Sequence, residues 1–401
     1  MFKGILRMPQ IITVVETEAF DTLYNEYRNE HDVRLEFSTT RLVTDKITEL
    51  SQYLMKENSL NRLCLDFTNH PLSDEDSAAL AMFLQSDNCP PSVTLILTRT
   101  FLSKKSLEIL AGVIVTGCNA SQVSLGLCNN RLGNEGAQLF ARALKSEHCP
   151  STVSLNLASN DISDQGFLEL ADMMKSLINL KKLSLNLLFN PTTRLGSFAL
   201  IDGIKCGENK ERLDIKYEFS KHGTGVICSL ANALKSKQCP EELALQFGPR
   251  HFTTDEVGIL FSALGLMTNR LDLDLSEQGL KDEGFAVILK ALQDMNGDLK
   301  LKLRLIYNAI KQDGAQKLAD FITSGRLRSE VYMSLSQNSF GGEAGIRMIR
   351  DAIVSNPQIL HYLTIDGPTN EINDLCARIR EQGIVELSSN APHKDSGCTF
   401  M

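Results

Sequence analysis

Seven histidines and ten cysteines in a chain of 401 residues could serve metal binding, nucleophilic catalysis or redox work. The histidines, His31, His70, His148, His222, His251, His361 and His393, stand at no ligand-like spacing from one another or from paired cysteines. Zinc-type CxxC and HExxH patterns, a P-loop and a GxSxG elbow do not occur. Cys89, Cys149 and Cys239 each precede a proline just past a helical segment, where a small apolar residue suits the packing. They fall in one column of a repeat but not in adjacent copies, near or beyond the ~7 Å Cα separation that a disulfide spans. The expectation is structural thiols, with no catalytic residue, no metal and no cofactor.

The final residues, Ser396-Gly397-Cys398-Thr399-Phe400-Met401, have the shape of a CaaX box. A cysteine so placed is a prenylation acceptor, and a terminal Met favours farnesyl. A single prenyl chain holds a protein weakly, and His393 and Lys394 make no basic patch, so membrane association through Cys398 is expected to be reversible.

The elements that would carry any site come from a repeat. Apolar-x-apolar-x-apolar triplets begin at Val33, Leu63, Val93, Val123, Val153, Leu183, Leu213 and Leu243, thirty residues apart. After one step of twenty-eight they resume at Leu271, Leu301 and Val331, with a degenerate copy His361-Leu363-Ile365. Period-two alternation over five residues is a short strand with one buried face. Asn130, Asn160, Asn190, Asn308 and Asn338 follow seven residues past each triplet start, where an amide can satisfy backbone groups as the chain leaves the strand. Asp74, Asn134, Asp164 and Asp282 then mark helix starts, and Phe167, Leu170, Ala171 and Met174 show the apolar face of the helix that follows.

One strand-turn-helix copy cannot bury both its apolar faces, so copies must stack. The expected architecture is an α/β solenoid with a parallel sheet on a concave face and wider helices on a convex one, a horseshoe. Residues 1–32 are expected to form an N-terminal cap, with Phe20, Leu23 and Tyr24 as contacts. Residues 33–390 make about twelve repeats plus a truncated strand at Val385-x-Leu387-x-x-Asn390, and 391–401 form a flexible tail. Departures at Pro191 to Arg194, Phe219 to Gly225 and Gly248 to Phe252 predict protruding loops.

Composition narrows the functional classes. A net charge of −8 offers no global field for a phosphate backbone, so nucleic acid is not an expected partner. The N-terminus lacks the continuous apolar region of a signal peptide, and no stretch reaches the ~20 apolar residues that cross a bilayer. Ten cysteines without such a signal suggest reduced thiols in a cytosol.

The pattern L-x-L-x-x-N-x-I-x-D-x-G-F, clearest in Asn156-Leu-Ala-Ser-Asn-Asp-Ile-Ser-Asp-Gln-Gly-Phe167, resembles the leucine-rich repeats of the ribonuclease-inhibitor-like class. The resemblance covers residues 33 to about 390 and leaves no room for an appended catalytic domain. It implies a monomeric scaffold that holds a partner protein on its strand face. The side chains between the triplet positions map that face. Ser124, Gly126, Cys128, Ser154, Asn156, Ala158, Ser184 and Asn186 are small and uncharged. Asp214, Lys216, Glu218, Asp272, Asp274, Lys302 and Arg304 are charged, and Tyr332 and Tyr362 stand in one column with Tyr307 nearby. Charges beside tyrosines suit an interface, which assigns the binding site to these C-terminal residues. A scaffold with a CaaX tail is also similar to the leucine-rich effectors that intracellular bacteria such as Legionella deliver into host cytosol, which implies a host protein as partner. The alternative is a resemblance to the activator of the Ran GTPase, which would give Arg41, Arg99 and Arg131 in strand-to-helix loops a role in GTP hydrolysis.

Overall fold

A computed structural model describes residues 10–14, 31–37, 44–56 and 60–381, apart from short stretches at 177–179, 206–210, 237–238, 249–250, 265–269, 296–298 and 368. The chain divides into two compact units, Met1–Glu218 with Gln238–Glu241, and Phe219–Lys237 with Glu242–Met401.

In the first unit, strands β1 (Gln10–Val14), β2 (Asp32–Phe37), β3 (Arg62–Asp66), β4 (Ser92–Ile96), β5 (Gln122–Gly126), β6 (Thr152–Asn156), β7 (Lys182–Asn186) and β8 (Arg212–Tyr217) pair in parallel in chain order. Leu63, Val93, Val123, Val153, Leu183 and Leu213 lie in register, so the thirty-residue spacing of the sequence is the step of the sheet. Their side chains are buried, and each contributes roughly 2 kcal/mol on leaving water. Between the strands run α1 (Thr44–Leu54), α2 (Asp74–Leu84), α3 (Lys104–Thr116), α4 (Gly133–Leu144), α5 (Asp164–Lys175) and α6 (Arg194–Lys205). In α5 the buried residues include Phe167, Leu170, Ala171 and Met174, the face the periodicity predicts.

The second unit repeats the scheme. Strands β9 (Glu242–Phe247), β10 (Arg270–Asp274), β11 (Lys300–Arg304), β12 (Glu330–Ser334) and β13 (Leu363–Asp366) pair in parallel in chain order. Helices α7 (Thr224–Leu234), α8 (Thr254–Leu264), α9 (Lys281–Asp294), α10 (Gln312–Ser324), α11 (Glu343–Ser355) and α12 (Asn370–Glu381) accompany them. Alternating strands and helices around a parallel sheet make this an α/β solenoid of the leucine-rich-repeat kind. Residues 10–14, expected to belong to a cap, form a strand paired with β2. The expected contacts Phe20, Leu23 and Tyr24, the thirteenth strand at Val385, and the tail with Cys398 lie outside the described residues.

The asparagine column is a polar ladder. Asn160 Oδ1 accepts from Asn130 N at 2.8 Å and Asn190 Oδ1 from Asn160 N at 3.0 Å. Each amide nitrogen donates back to the preceding repeat, as Asn160 Nδ2 does to Leu127 O at 2.9 Å. Buried backbone groups left over at the strand ends are thereby paired, which a solenoid requires because water is excluded there. Asn308 and Asn338 do the same in the second unit.

The acidic and amide residues at the helix starts act differently from the expectation that each caps its own helix. Asn134 Oδ1, on α4, accepts from Ser163 N at 2.9 Å and Gly166 N at 3.1 Å, the N-terminus of α5. Asp164 does this for Thr193 N and Gly196 N, and Asp282 for Lys311 N and Gly314 N. These three helices are each capped by the preceding repeat, so the cap is also a contact between repeats, whereas Ser73 and Ser103 cap their own helices. The approach is close enough that a Cβ on Gly166 would stand 2.9 Å from Asn134 Oδ1.

At two of the three expected protrusions the described aromatic residues are buried. Phe219, in the 3₁₀ turn Phe219–His222, is buried with its ring centroid 5.5 Å from that of Phe247, which in turn meets Phe252 at 5.1 Å. Phe252 holds the regular apolar position nine residues past Leu243, and Phe247 links it to Phe219. At the third, Thr192 replaces the usual apolar side chain, and its hydroxyl bonds Tyr217 Oη at 2.7 Å.

Candidate functional site

In a strand, side chains alternate between faces, so the residues between the buried leucines form the open face of the sheet. In the second unit this face carries a linked set of charges. Asp272 and Asp274 lie on β10, Lys302 and Arg304 on β11, and Tyr332 and Ser334 on β12. Parallel register puts Asp272 beside Lys302 and Lys302 beside Tyr332.

Arg304 grips Asp272 with both ends of its guanidinium, Nη1 to Oδ1 at 2.7 Å and Nη2 to Oδ2 at 3.0 Å. A two-point pair of this kind fixes both side chains more firmly than a single contact would. Asp274 has a local duty, since one of its oxygens accepts from Ser276 N at 3.0 Å and shapes the exit from the strand. Asp66, Asn156 and Asn186 do the same at equivalent positions in the first unit.

Lys302 is the most exposed member, with 47% of its side chain accessible. Its Nζ lies 3.8 Å from Asp272 and 5.6 Å from the Tyr332 ring centroid, within cation–π range. Tyr332 donates its hydroxyl to Asp366 Oδ2 at 2.9 Å, and Ser334 Oγ reaches the same oxygen at 3.3 Å. Burial first, and the bond to Asp366 second, push the Tyr332 phenol up from its ordinary value. The hydroxyl is therefore a hydrogen-bond donor at neutral pH. Beyond it, Arg380 Nη2 on α12 reaches Thr364 Oγ1 at 3.0 Å.

Two expectations about this site need correcting. Tyr362 does not share a column with Tyr332. The turn Pro357–His361 inserts two residues, so Val331 pairs with Leu363 and Tyr332 with Thr364. Tyr362 stands before β13 and is 40% exposed. The two-residue step preserves the alternation of faces and brings Asp366, which the thirty-residue spacing misses, beside Ser334. Glu218, at the end of the first unit, is buried rather than open, with Oε2 accepting from Phe189 N at 3.3 Å. Its neighbours Asp214 and Lys216 are half-buried on β8, and Asp214 is held by Arg212 Nε at 2.9 Å.

On β5 to β7 of the first unit the open face, at Ser124, Gly126, Ser154, Asn156, Ser184 and Asn186, is half-buried and uncharged, while Ala158 is buried; β2 and β3 carry a charged group of their own, Arg34 with Glu36 at 2.8 Å and Asp66 at 3.0 Å. Among the loop arginines, Arg99 and Arg131 are exposed and both have left-handed backbone, φ 55° in each case, but they sit two positions apart in the repeat. Arg41 lies outside the described residues.

Among the described residues no group of three or more His, Cys, Asp or Glu side chains converges as a metal site. Nor is any described helix long and apolar enough to cross a membrane. His70 is spent in the polar ladder, its Nε2 3.4 Å from Phe37 O. What this arrangement offers chemically is a fixed display of charge, hydroxyl and aromatic ring on a sheet. Compared with known proteins, the sequence matches no family model and no curated protein.

Proposed function

We propose that the protein is a binding scaffold that holds a partner protein on the open face of β10–β13. The observation that carries this reading is the set Asp272, Arg304, Lys302, Tyr332 and Asp366, fixed by one another but with Lys302 still open to solvent. Prefixed side chains lose little freedom on binding, and tyrosine and arginine are the residues that contribute most at interfaces. Photo-crosslinking groups placed at Lys302 and at Ser184 of the full chain test this in eukaryotic cytosol. A partner captured from position 302 and not from 184, and lost on Arg304→Ala with Tyr332→Ala, supports it; equal capture at both contradicts it.

Delivery into a host cytosol and farnesylation at Cys398 belong to the same reading, supported by the CaaX-like ending of the sequence. Cys398→Ser in a eukaryotic cell should then abolish incorporation of a labelled farnesyl group. GTPase activation is the second reading, supported by the exposed Arg99 and Arg131 on strand-to-helix loops. It requires that the protein accelerate GTP hydrolysis by a small GTPase and that Arg99→Ala or Arg131→Ala remove the acceleration.

A further inference from the structure

Phe101 and Phe189 project from the rim of the first unit where the strands turn out toward the helices, in the loops after β4 and β7. Their side chains are 67% and 57% exposed. The loops leave the rings no way inward. Phe101 stands between Thr100, buried with its hydroxyl on Leu97 O at 2.9 Å, and the buried Leu102. Phe189 stands between the buried Leu188 and Asn190, and its amide is held by Glu218 Oε2 at 3.3 Å. Both have left-handed backbone, φ 53° and 59°, which a bulky side chain seldom takes. Pro71, Arg131, Asp161 and Pro191 fill the column of Phe101 in other repeats of the unit, so the repeat itself does not call for a ring there. Exposure and backbone strain together mark a position kept for contact with something outside the chain.

We propose that this rim is a peripheral membrane site, at which Phe101 and Phe189 enter the headgroup region of a bilayer while Arg99 and Arg131 meet anionic lipid. The charge of the rim suits that surface. The stretches 97–106 and 127–136 carry Arg99, Lys104, Lys105 and Arg131 against Glu135 alone, in a chain whose net charge is −8. Lys104 is paired with Glu135 at 2.8 Å, and Lys105 Nζ lies 4.0 Å from Asp74. Arg99 and Arg131 are exposed, and among the described residues no acid pairs with either. Their guanidinium groups are open to the phosphates and carboxylates of a lipid surface.

The spread of these side chains favours a bilayer over a protein. Three strand steps separate the two rings, roughly 14 Å at ~4.8 Å per strand. Between them the rim carries the polar residues Asn129, Arg131, Ser159 and Asp161. A protein interface gathers its anchors into a dry central patch, whereas the headgroup region accepts separate apolar side chains with cations among them. Leu195, 67% exposed at the start of α6, adds an apolar group to the turn that follows Phe189. The contact does not depend on Cys398. A single prenyl chain anchors weakly, however, and the rim is the kind of second element that such a tail needs.

The chain contains no tryptophan, so Phe101→Trp places a single fluorescent reporter on the rim. The full chain, produced without prenylation, is mixed with vesicles of phosphatidylcholine alone or of phosphatidylcholine and phosphatidylserine at roughly 3:1. Expected are cosedimentation with the phosphatidylserine vesicles, a blue shift of the Phe101→Trp emission and its quenching by brominated lipid, all diminished at high salt. Leu168→Trp, on the outer face of α5, should show no shift. Arg99→Glu with Arg131→Glu should weaken vesicle binding at least about tenfold, with the thermal melt of the chain unaltered. No GTPase is present, so the arginines are read apart from any role in GTP hydrolysis. A chain that stays in solution with phosphatidylserine vesicles, binds them regardless of the two charge reversals, or binds with the Phe101→Trp emission neither shifted nor quenched overturns the proposal. So does an emission shift produced by a cytosolic protein fraction and not by vesicles, which would assign the rim to a protein contact.

Discussion

Replacing Asn160 with alanine removes one rung of the polar ladder and leaves its neighbours inside. Asn160 is fully buried. Its Oδ1 is the acceptor for Asn130 N at 2.8 Å and lies 3.4 Å from Leu132 N, and its Nδ2 donates to Leu127 O and Ala158 O. Leu127 O keeps a second donor, Asn130 Nδ2, so the carbonyl side of the loss is partly covered. The Asn130 amide has no such cover. An unsatisfied buried group costs ~1–3 kcal/mol, so Asn160→Ala should destabilise the chain by about 3 kcal/mol. Urea unfolding gives the total. Because repeat arrays can open piecewise, hydrogen exchange should be read at the same time. The Asn130 amide should lose its protection in the variant, whereas Ser184→Ala on the open face should change stability by less than ~0.5 kcal/mol. A variant within ~0.5 kcal/mol of the unaltered chain, with Asn130 still protected, would refute the ladder as a source of stability.

Asp282→Ala strips the cap from the next repeat and should cost about 1 kcal/mol, seen as faster exchange at Lys311 and Gly314, on α10 and its lead-in rather than on α9. Gly166→Ala pushes a methyl toward Asn134 Oδ1 and should lower stability by roughly 1–3 kcal/mol in a thermal melt. The Ser103 and then the Ser106 hydroxyl hold the Asp74 carboxyl below its usual range. Its contribution is therefore present above the ordinary carboxylate range and lost as pH falls through the lowered folded value, so exchange at the start of α3 should quicken on acidification. Asp74→Asn should flatten that dependence.

Much of the fold is legible because buried apolar side chains at a constant spacing leave few alternatives. Leu63, Val93 and Val123 fall in register as counted. The ladder is only partly legible, since His70, Thr100 and Gln278 take the asparagine position with different chemistry. Capping between repeats is hidden from a local reading, because Asn134 and Asp164 stand at the start of their own helices yet bond the next ones. The site was legible in Asp272, Lys302, Arg304 and Tyr332, which occupy strand positions fixed by alternation. Tyr362 is placed wrongly and Asp366 goes unseen because the two-residue insertion at Pro357–His361 shows in the apolar pattern only as the degenerate triplet at His361. Glu218 was misread because alternation ends with the strand at Tyr217.

The measurement closest to the central claim is site-resolved crosslinking of the full chain, with the group at Lys302 on the charged face and at Ser184 on the uncharged one. A partner protein captured at 302 alone, and released by Arg304→Ala with Tyr332→Ala, is the predicted result. Capture independent of position, or undiminished by those substitutions, would contradict the assignment of function to β10–β13.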